Sequence, residues 1–568
     1  MGSNRLPGVI SSVQVNTTLG TPTTAIRKPI ILGVGDVKVL VENERVVRGT
    51  VAGGNDALAN TIYGASDALR LASILRIGNS PNSADYTKTN NYIVTTASDI
   101  TYIDWSPGTE VEYPADNYTE PAVGQEYYIT YYKTLENFDL VEYYGETDVK
   151  AAHGDAIMSV SKQYATVTAV STGAPKTTFE WANTETVSTP VTDWTISFTT
   201  GTNAGLTRTV STYTPATTAA DGTFVVSVAF PNDVTIGDIF VAQDSTPVVN
   251  TLTAGALLAL RNGASSVIVG QLDNAGWTDT VAPSASQYTT ALNVHLESLK
   301  TSLDVPFFIV PMLPHNATTF TTNTIVNSNA VSPVWNHCKL MSTPENKGER
   351  TCVAGYLAAS TKANFKAFAT SFFSTRAIVT APGDIVFTDV LGTTVNGSLS
   401  AAALAGRICS YARISQSVLR ESLSGIDVAA NFYNPIEQRD LTSAGITFLI
   451  SDFGVVRIIA GKTTDTASAD TEDIAVVAIA DYVKKATREE LDATFIGSPI
   501  NDRLLNAIRG KLFSTFDRLM GDQILETYKK ESITVRQDLG EPRLIKVTGS
   551  IKPLYNLWFM DLNFDFYV

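Results

Sequence analysis

The chain has 568 residues, so it is too long for a single hydrophobic core and is expected to form about three or four domains. Its formal net charge of −15 argues against a nucleic acid as a direct partner, because phosphate binding requires a basic surface. The 3 cysteines are far apart and odd in number, which is typical of a reduced chain and not of a disulfide scaffold.

The first residues contain no apolar segment of signal-peptide length, and no run approaches the length of a membrane span. We therefore expect a protein that is made and assembled in the cytoplasm of its host cell and does not insert into a membrane.

Residues 1–25 are predicted to form an extended N-terminal arm. In this segment Val9, Val13 and Val15 lie among Ser, Thr, Asn and Gly, and Pro7 and Pro22 interrupt the chain. Short strands of this kind need a partner strand, so the three valines are candidate contacts between subunits.

The segment 26–91 is predicted to be the first part of an α/β core. It contains an apolar strand, PIILGVG, and a helix-like stretch over residues 63–75. In that stretch Leu69, Ala72 and Leu75 form one apolar stripe.

Two all-β domains are predicted next, over residues 92–154 and 155–250. The first contains the alternating runs NYIVT, EYYITYY and DLVEYY, and the second contains YATVTAV, WTISFTT, RTVSTYT, FVVSVAF and DIFVAQ. Alternation bounded by Gly, Pro and Asn is typical of strands joined by turns. We interpret both domains as insertions into the core.

The core is predicted to resume over residues 251–548. Apolar strands within SVIVGQL, PFFIVPM and AIVTAPG each follow an amphipathic helix. Continuous apolar strands between such helices predict a mixed sheet that helices cover on both faces. The fold class is therefore a multi-domain α/β core with inserted all-β domains and extended terminal arms.

The chain ends in a module of two predicted helices, over 474–497 and 501–530, followed by the strand ITVRQ and two alternating runs. Residues 549–568 are predicted to be a C-terminal strand arm. One side of its last strand is apolar, because strand side chains alternate. That side carries Trp558, Met560, Leu562, Phe564, Phe566 and Val568. A terminus this apolar must pair with another strand, and a neighbouring subunit can supply it.

The pattern of reactive side chains predicts no catalytic, cofactor-binding or metal-binding residue. The histidines, His153, His295, His315 and His337, are scattered, and the adjacent pair His337 and Cys338 lacks a further close ligand. The sequence AGKTT ending at Thr464 lacks the earlier glycine of a phosphate-binding loop. Glu489 and Glu490 are expected on a solvated, salt-bridged helix face.

The order of these motifs resembles the contractile tail sheath proteins of myophages and tailocins. The resemblance covers about three quarters of the chain, and the order and spacing of its motifs make it specific. The matching motifs are RLPGVISSVQV (5–15), KPIILGVGD (28–36), ALLALRNGASSVIVGQL (256–272), VPFFIVPML (305–313), GERTCVAGY (348–356), LTSAGITFLI (441–450), RIIAGKTT (457–464) and the C-terminal module.

The resemblance implies a virion structural protein that is not an enzyme. It implies hexameric rings of the subunit stacked around a tail tube, and a change to a shorter, wider packing that drives the tube through the host envelope. The implied partners are other copies of the chain, the tail tube protein, and the baseplate and tail terminator proteins. It also implies that the C-terminal module faces inward.

The second helix of the module carries a basic stripe, formed by Arg503, Lys511 and Arg518 opposite its apolar face. A solvated helix face explains such a stripe in most proteins. The alternative, given the implied inward position of the module, is that the three side chains contact the tail tube.

Other functions fit parts of the sequence. The subunit could belong to a headless contractile particle, or the β-rich insertions could act as a virion adhesin. A glycan depolymerase is a further alternative, in which Asp99, Asp104 and Glu110 would supply the carboxylates. Charged residues at sheet edges are the usual explanation for these three.

Overall fold

The computed structural model describes most of the chain. It describes residues 27–35, 38–49, 55–63, 70–71, 73–81, 83–86, 92–97, 100–105, 120–134, 138–157, 162–181, 194–214, 222–243, 248–272, 284–301, 307–315, 320–389, 394–411, 414–428, 433–452 and 454–556.

The described residues form both strands and helices. The strands are β1 Lys28–Gly33, β2 Lys38–Val47, β3 Asn55–Ala57, β4 Ile74–Gly78, β5 Ile93–Ala97, β6 Ile100–Asp104, β7 Glu126–Thr134, β8 Leu140–Tyr143, β9 Lys162–Val170, β10 Thr178–Trp181, β11 Thr195–Phe198, β12 Thr207–Thr214, β13 Gly222–Val226, β14 Ile239–Gln243, β15 Val267–Gln271, β16 Phe307–Pro311, β17 Arg350–Ala354, β18 Ala377–Ala381, β19 Ile385–Phe387, β20 Thr394–Val395, β21 Ser422–Leu423, β22 Ile426–Val428, β23 Ile446–Asp452, β24 Val455–Ile458, β25 Leu525–Tyr528, β26 Thr534–Gln537, β27 Ile545–Thr548 and β28 Ile551–Pro553. The helices are α1 Glu146–His153, α2 Thr251–Arg261, α3 Ala285–Leu299, α4 Asn323–Val326, α5 Ser332–Met341, α6 Lys362–Phe372, α7 Ser398–Cys409, α8 Pro435–Ser443, α9 Ala469–Glu472, α10 Ile474–Phe495 and α11 Asp502–Gly521, with a π-helical turn at Asn327–Val331 and a 3-10 turn at Lys530–Ser532.

The chain divides into two compact units. Unit 1 contains residues 1–34, 138–149 and 254–568, and unit 2 contains residues 35–137 and 150–253. The predicted mixed α/β character is confirmed, since helices and several sheets are both present.

Unit 1 is built on a nine-stranded sheet in the order β21-β24-β23-β18-β17-β16-β1-β15-β8. The central strands, from β23 to β15, are parallel, and β8 and β24 add to them in antiparallel register. The central strands are almost wholly buried, as parallel strands covered on both faces must be.

Helices pack against both faces of this sheet. One face forms a large apolar core with α3, α5 and α6, in which Ile309, Cys352 and Val379 contribute from the strands. On the other face Thr380 of β18 lies 3.0 Å, oxygen to oxygen, from Ser400 of α7. The small residues of α7 permit this close packing.

The boundaries of the units differ from the predicted domains. The predicted core segment 26–91 is divided, because β2 and β4 pair with β7 in unit 2 and do not join the sheet of unit 1. Similarly, β8 lies inside the predicted domain 92–154 but pairs with β15 in unit 1. The helix predicted over residues 63–75 is also wrong at its end, since Leu75 lies in β4.

The described residues of unit 2 are mostly small sheets and a barrel. Two three-stranded sheets, β2-β7-β4 and β3-β6-β5, share one apolar core. The strands β10-β13-β12-β11-β14-β9 close into a barrel, and aromatic rings fill its interior. Within that interior the rings of Phe179 and Phe240 lie 5.3 Å apart, centroid to centroid, at 74°. The all-β character predicted for this part of the chain is thus present.

Candidate assembly surface

The last part of unit 1, residues 474–556, is called the C-terminal module below. It has a hydrophobic core distinct from the core of the nine-stranded sheet. The buried members of this second core are Ile414, Ile479, Val483, Ile508, Leu512, Phe516, Leu519, Ile524, Leu525, Tyr528, Ile533 and Val535. Because only Ile414 lies outside the module, the module buries most of its apolar surface against itself.

The two long helices of the module have clear sequence signals at their starts. Asp473 accepts a hydrogen bond from the Ala475 backbone N–H, and Asn501 accepts one from the Leu504 N–H. Both are N-cap interactions, which stabilise a helix start by about 0.5–2 kcal/mol each. Helix α11 ends at Gly521, so the prediction of a helix through 530 is wrong. The chain turns at Gln523, whose φ is 58°, and then enters β25.

Two members of the predicted basic stripe contact the other long helix. The Glu490 carboxylate of α10 accepts hydrogen bonds from the Thr515 hydroxyl, at 2.6 Å, and from the Arg518 guanidinium, and it lies 3.1 Å from the Lys511 Nζ. Burial alone would raise the pKa of Glu490. The hydrogen bonds from Thr515 and Lys511 and the charges of Arg518 and Lys511 outweigh that effect and lower the pKa. We call these four residues the Glu490 cluster.

Arg503 is placed differently from Lys511 and Arg518. It lies in the first turn of α11, its side chain is exposed, and it forms no ion pair with any residue that the structure describes. Within the stripe, Lys511 and Arg518 therefore share the Glu490 carboxylate, whereas Arg503 has no ion-pair partner among the described residues. The sequence did not indicate this contact, because both helices carry several carboxylates and cations and only packing selects Glu490.

Glu489, the neighbour of Glu490, forms a salt bridge on the helix surface, as expected. Its Oε1 lies 3.8 Å from the Nζ of Lys485, one helical turn away. Arg488 instead reaches Glu349, with a nitrogen–oxygen distance of 2.5 Å.

The module presents two small sheets to its surroundings. Strand β25 pairs with β28, and β26 pairs with β27. Neither pair has a third strand among the described residues. All but one residue of β27 are exposed. Isolated two-stranded sheets are marginal in water, and their unpaired edges are templates for further strands.

The turn between β26 and β27 is rigid and exposes a leucine. The Asp538 carboxylate accepts hydrogen bonds from the backbone N–H groups of Gly540, at 2.7 Å, and Glu541, at 3.1 Å. Those bonds and the ion pair with Lys546 lower the pKa of Asp538. Leu539, between these residues, is fully exposed.

The predicted arm residues lie outside the described residues. This applies to Val9, Val13, Val15, Trp558, Met560, Leu562, Phe564, Phe566 and Val568. The last described residues, up to Asn556, follow β28 directly.

His337 and Cys338 are both buried, in surroundings that suit a structural role. Burial and the nearby charges of Arg350 and Lys300 lower the pKa of His337 to about 3, so its neutral ring accepts from the Arg350 guanidinium at 2.5 Å. Burial raises the pKa of Cys338 to about 12. A thiol of that pKa carries almost no thiolate at neutral pH, so it is a poor nucleophile.

The remaining candidates for chemistry are also held in structural contacts or lie outside the described residues. Lys462 is nearly buried, and its ammonium lies 2.7 Å from the Glu472 carboxylate. Asp104 ends strand β6, whereas Asp99 and Glu110 lie outside the described residues. No group of His, Cys, Asp and Glu that could hold a metal ion is found in the described part of the chain. Nor does any helix found there combine the length and apolarity needed to cross a bilayer.

Comparison with known proteins gives only structural similarities. No protein-family model matches the chain, and no curated protein matches it. A sheath tail protein from Desulfitobacterium hafniense is similar with a TM-score of 0.38 and 13% identity, over 74% of this chain and 94% of that one. A sheath tail protein from Listeria innocua is similar with a TM-score of 0.39 and 13% identity, over 73% of this chain and 88% of that one.

The helical sheath of the anti-feeding prophage, in its contracted state, is similar with a TM-score of 0.41 and 15% identity, over 57% of this chain and 84% of that one. The chain is thus structurally similar to sheath proteins of contractile systems. Identities and TM-scores this low do not assign the chain to a family or a function.

Proposed function

We propose that the chain is the structural subunit of a contractile tail sheath. Copies of it polymerise as stacked hexameric rings around a tail tube and contract to drive the tube through a host envelope. The same subunit chemistry suits a phage tail and a headless contractile particle. The sequence resemblance led to this proposal, and the C-terminal module supplies the physical observation that carries it.

That observation is the position of open sheet edges directly before an apolar, alternating run of sequence. The module folds around its own core and leaves the β25–β28 and β26–β27 pairs with unpaired edges among the described residues. The alternating run that contains Phe564 and Phe566 follows β28 in the sequence. Open edges and an apolar strand on the same molecule favour strand exchange between copies.

The energetics suit a linkage that forms reversibly. Each added backbone hydrogen bond contributes about 0.5–1.5 kcal/mol net, and each large apolar side chain that becomes buried contributes about 1.5–3 kcal/mol. Ordering each backbone residue costs about 1–2 kcal/mol. The favourable and unfavourable contributions are of similar size, so each arm is held weakly and repetition along a polymer is needed for a stable assembly.

The mechanism proposed for contraction is mechanical. Two packings of the same folded subunits differ in free energy, and the change from one to the other moves the tube. The apolar clusters of the nine-stranded sheet and of the module are distinct, which fits a change in how they pack against each other. Bends near the arms, at Gly549 and Pro553, would absorb the change in geometry.

The basic residues of α11 are proposed to seat the sheath on an acidic tube. Arg503 is the leading candidate, because it is exposed and unpaired among the described residues. Lys511 and Arg518 share the charge of Glu490 and therefore present less positive potential outward.

Removing residues 555–568 tests the proposal. The shortened chain is expected to be a folded, soluble monomer that forms no tubes, because the core of the module ends before the deletion. Size-exclusion chromatography and electron microscopy measure this. Tubes from the shortened chain would contradict the proposal, and so would a failure to fold, which would place the strand in the core of its own subunit.

A matched pair of point variants separates strand pairing from a general effect of charge. Phe564→Glu places a charge on the apolar side of the terminal strand and should block polymerisation. Asn563→Glu places the same charge on the opposite side and should leave it intact. Equal behaviour of the two variants would argue against an alternating strand.

A further inference from the structure

A buried arginine lines a cavity in unit 1. Arg27 precedes β1, and only 7% of its surface is exposed. The cavity lies between the sheet, represented by Phe308 and Ile378, and helix α10, represented by Val477 and Asp481. Its volume is about 40 Å³.

The guanidinium of Arg27 has few partners for a buried charge. Its Nη2 donates to the Ile414 carbonyl oxygen at 3.2 Å. It forms no ion pair with any residue in the described ranges. Burial lowers its pKa, although the charges of Cys409, Asp481 and Tyr411 oppose that effect. Buried guanidinium groups normally have a carboxylate or several acceptors, because desolvating an unpaired charge is costly.

The other charged residues around the cavity already have partners. The Asp481 carboxylate pairs with Arg376, with a nitrogen–oxygen distance of 2.7 Å. As described above, Glu349 pairs with Arg488 and Lys485 pairs with Glu489. Arg27 therefore has no carboxylate of its own among the described residues, because the one acting on it, Asp481, is already paired with Arg376.

We propose that this cavity binds a carboxylate group at Arg27. The space suffices for about three water-sized occupants at roughly 10–15 Å³ each, and a carboxylate has three heavy atoms. Guanidinium and carboxylate groups match in geometry and form two parallel hydrogen bonds. The carboxylate belongs either to a small free molecule or to a side chain or chain end of a second copy.

Formate is the probe for the site in the full-length chain. The melting temperature of the wild-type protein should rise as sodium formate replaces sodium chloride at constant ionic strength. A ligand of this size binds no tighter than about 0.5 mM, given the ceiling on binding energy per atom, so the rise should saturate at millimolar concentrations or above.

Two variants should abolish the rise and a third should keep it. Arg27→Met removes the charge, and an apolar side chain of similar length should keep the protein folded. Ala478→Ile keeps the charge but fills the cavity, since Ala478 lines it. Arg457→Met is the matched control, because Arg457 is 45% exposed and lies outside the cavity.

The source of the carboxylate is decided by self-association, measured by sedimentation in buffer free of carboxylates. If a second copy supplies it, formate should inhibit association of the wild type, and Arg27→Met should fail to associate. If a free molecule supplies it, both proteins should associate equally. The proposal is overturned if formate does not raise the melting temperature, or if the rise persists in Arg27→Met and Ala478→Ile.

Discussion

The C-terminal module should be destabilised selectively by Phe516→Ala. Phe516 is 5% exposed in the core of the module, and its ring lies 5.3 Å from the Tyr528 ring, centroid to centroid. Truncating a buried phenylalanine costs about 3–5 kcal/mol through lost burial and the cavity that remains. That loss is a large fraction of the about 5–15 kcal/mol that stabilises a typical domain.

Native-state hydrogen exchange, read by mass spectrometry on the full chain, measures where the stability is lost. Peptides from residues 474–556 should lose protection equivalent to that free energy. Peptides covering β16, β17 and β18 should keep theirs, because those strands belong to the other core.

Phe513→Ala is the matched control. Phe513 lies on the same helix, is only partly buried, and its ring lies 6.1 Å from the Tyr528 ring, centroid to centroid. The loss should therefore be smaller than for Phe516→Ala. Equal loss of protection in the module and in the nine-stranded sheet would refute the view that unit 1 contains two separate cores.

Two further predictions concern the charges of the module. Glu490→Gln should lower the free energy of unfolding by the worth of two partly exposed ion pairs, about 0.2–1 kcal/mol each. Because the folded-state pKa of Glu490 is lowered, this contribution is complete above the ordinary carboxyl pKa and is lost as the pH falls through the lowered pKa. Urea titrations at neutral and acidic pH should show the variant and the wild type converging in acid, and a difference that persists there would contradict the assignment. Reversing the charge of Arg503, Lys511 and Arg518 together should weaken co-assembly with an acidic tube at low salt, yet leave tube-free polymers able to form. Arg503→Glu alone should produce part of this effect without disturbing the Glu490 cluster, and unchanged co-assembly of both variants would reject the contact.

Much of unit 1 could be predicted from local patterns. The strands in SVIVGQL, PFFIVPM and AIVTAPG are observed as β15, β16 and β18. Each is a continuous apolar run, because the helices of unit 1 cover both faces of the sheet. The N-caps of α10 and α11 are equally local, since a side chain caps the backbone two or three residues away.

What the sequence did not predict depends on pairing between distant residues. Strand β1 pairs with β15, although all of unit 2 lies between them in the sequence. Strand β8 joins the same sheet, although its segment was predicted to belong to a β domain. Local alternation cannot select which distant strand becomes the neighbour. The end of α11 could not be predicted for a related reason. The four residues of β25 fit a helical pattern as well as a strand pattern, and only their pairing with β28 makes them a strand.

The candidate site follows the same division. The basic residues of α11 could be recognised from their helical spacing, but their contact with Glu490 depends on how two helices pack. The isolation of Arg27 gave no signal at all, since a single arginine before an apolar strand is ordinary in sequence. Its significance comes from the cavity and from the pairing of every other charge around it.

The central claim is that copies of this chain polymerise into a sheath, and negative-stain electron microscopy of the purified full-length chain tests it most directly. The account predicts hollow, regularly striated tubes whose formation increases with protein concentration and is lost in Phe564→Glu. A chain that stays monodisperse at high concentration, or that forms tubes equally well with Phe564→Glu, would contradict it.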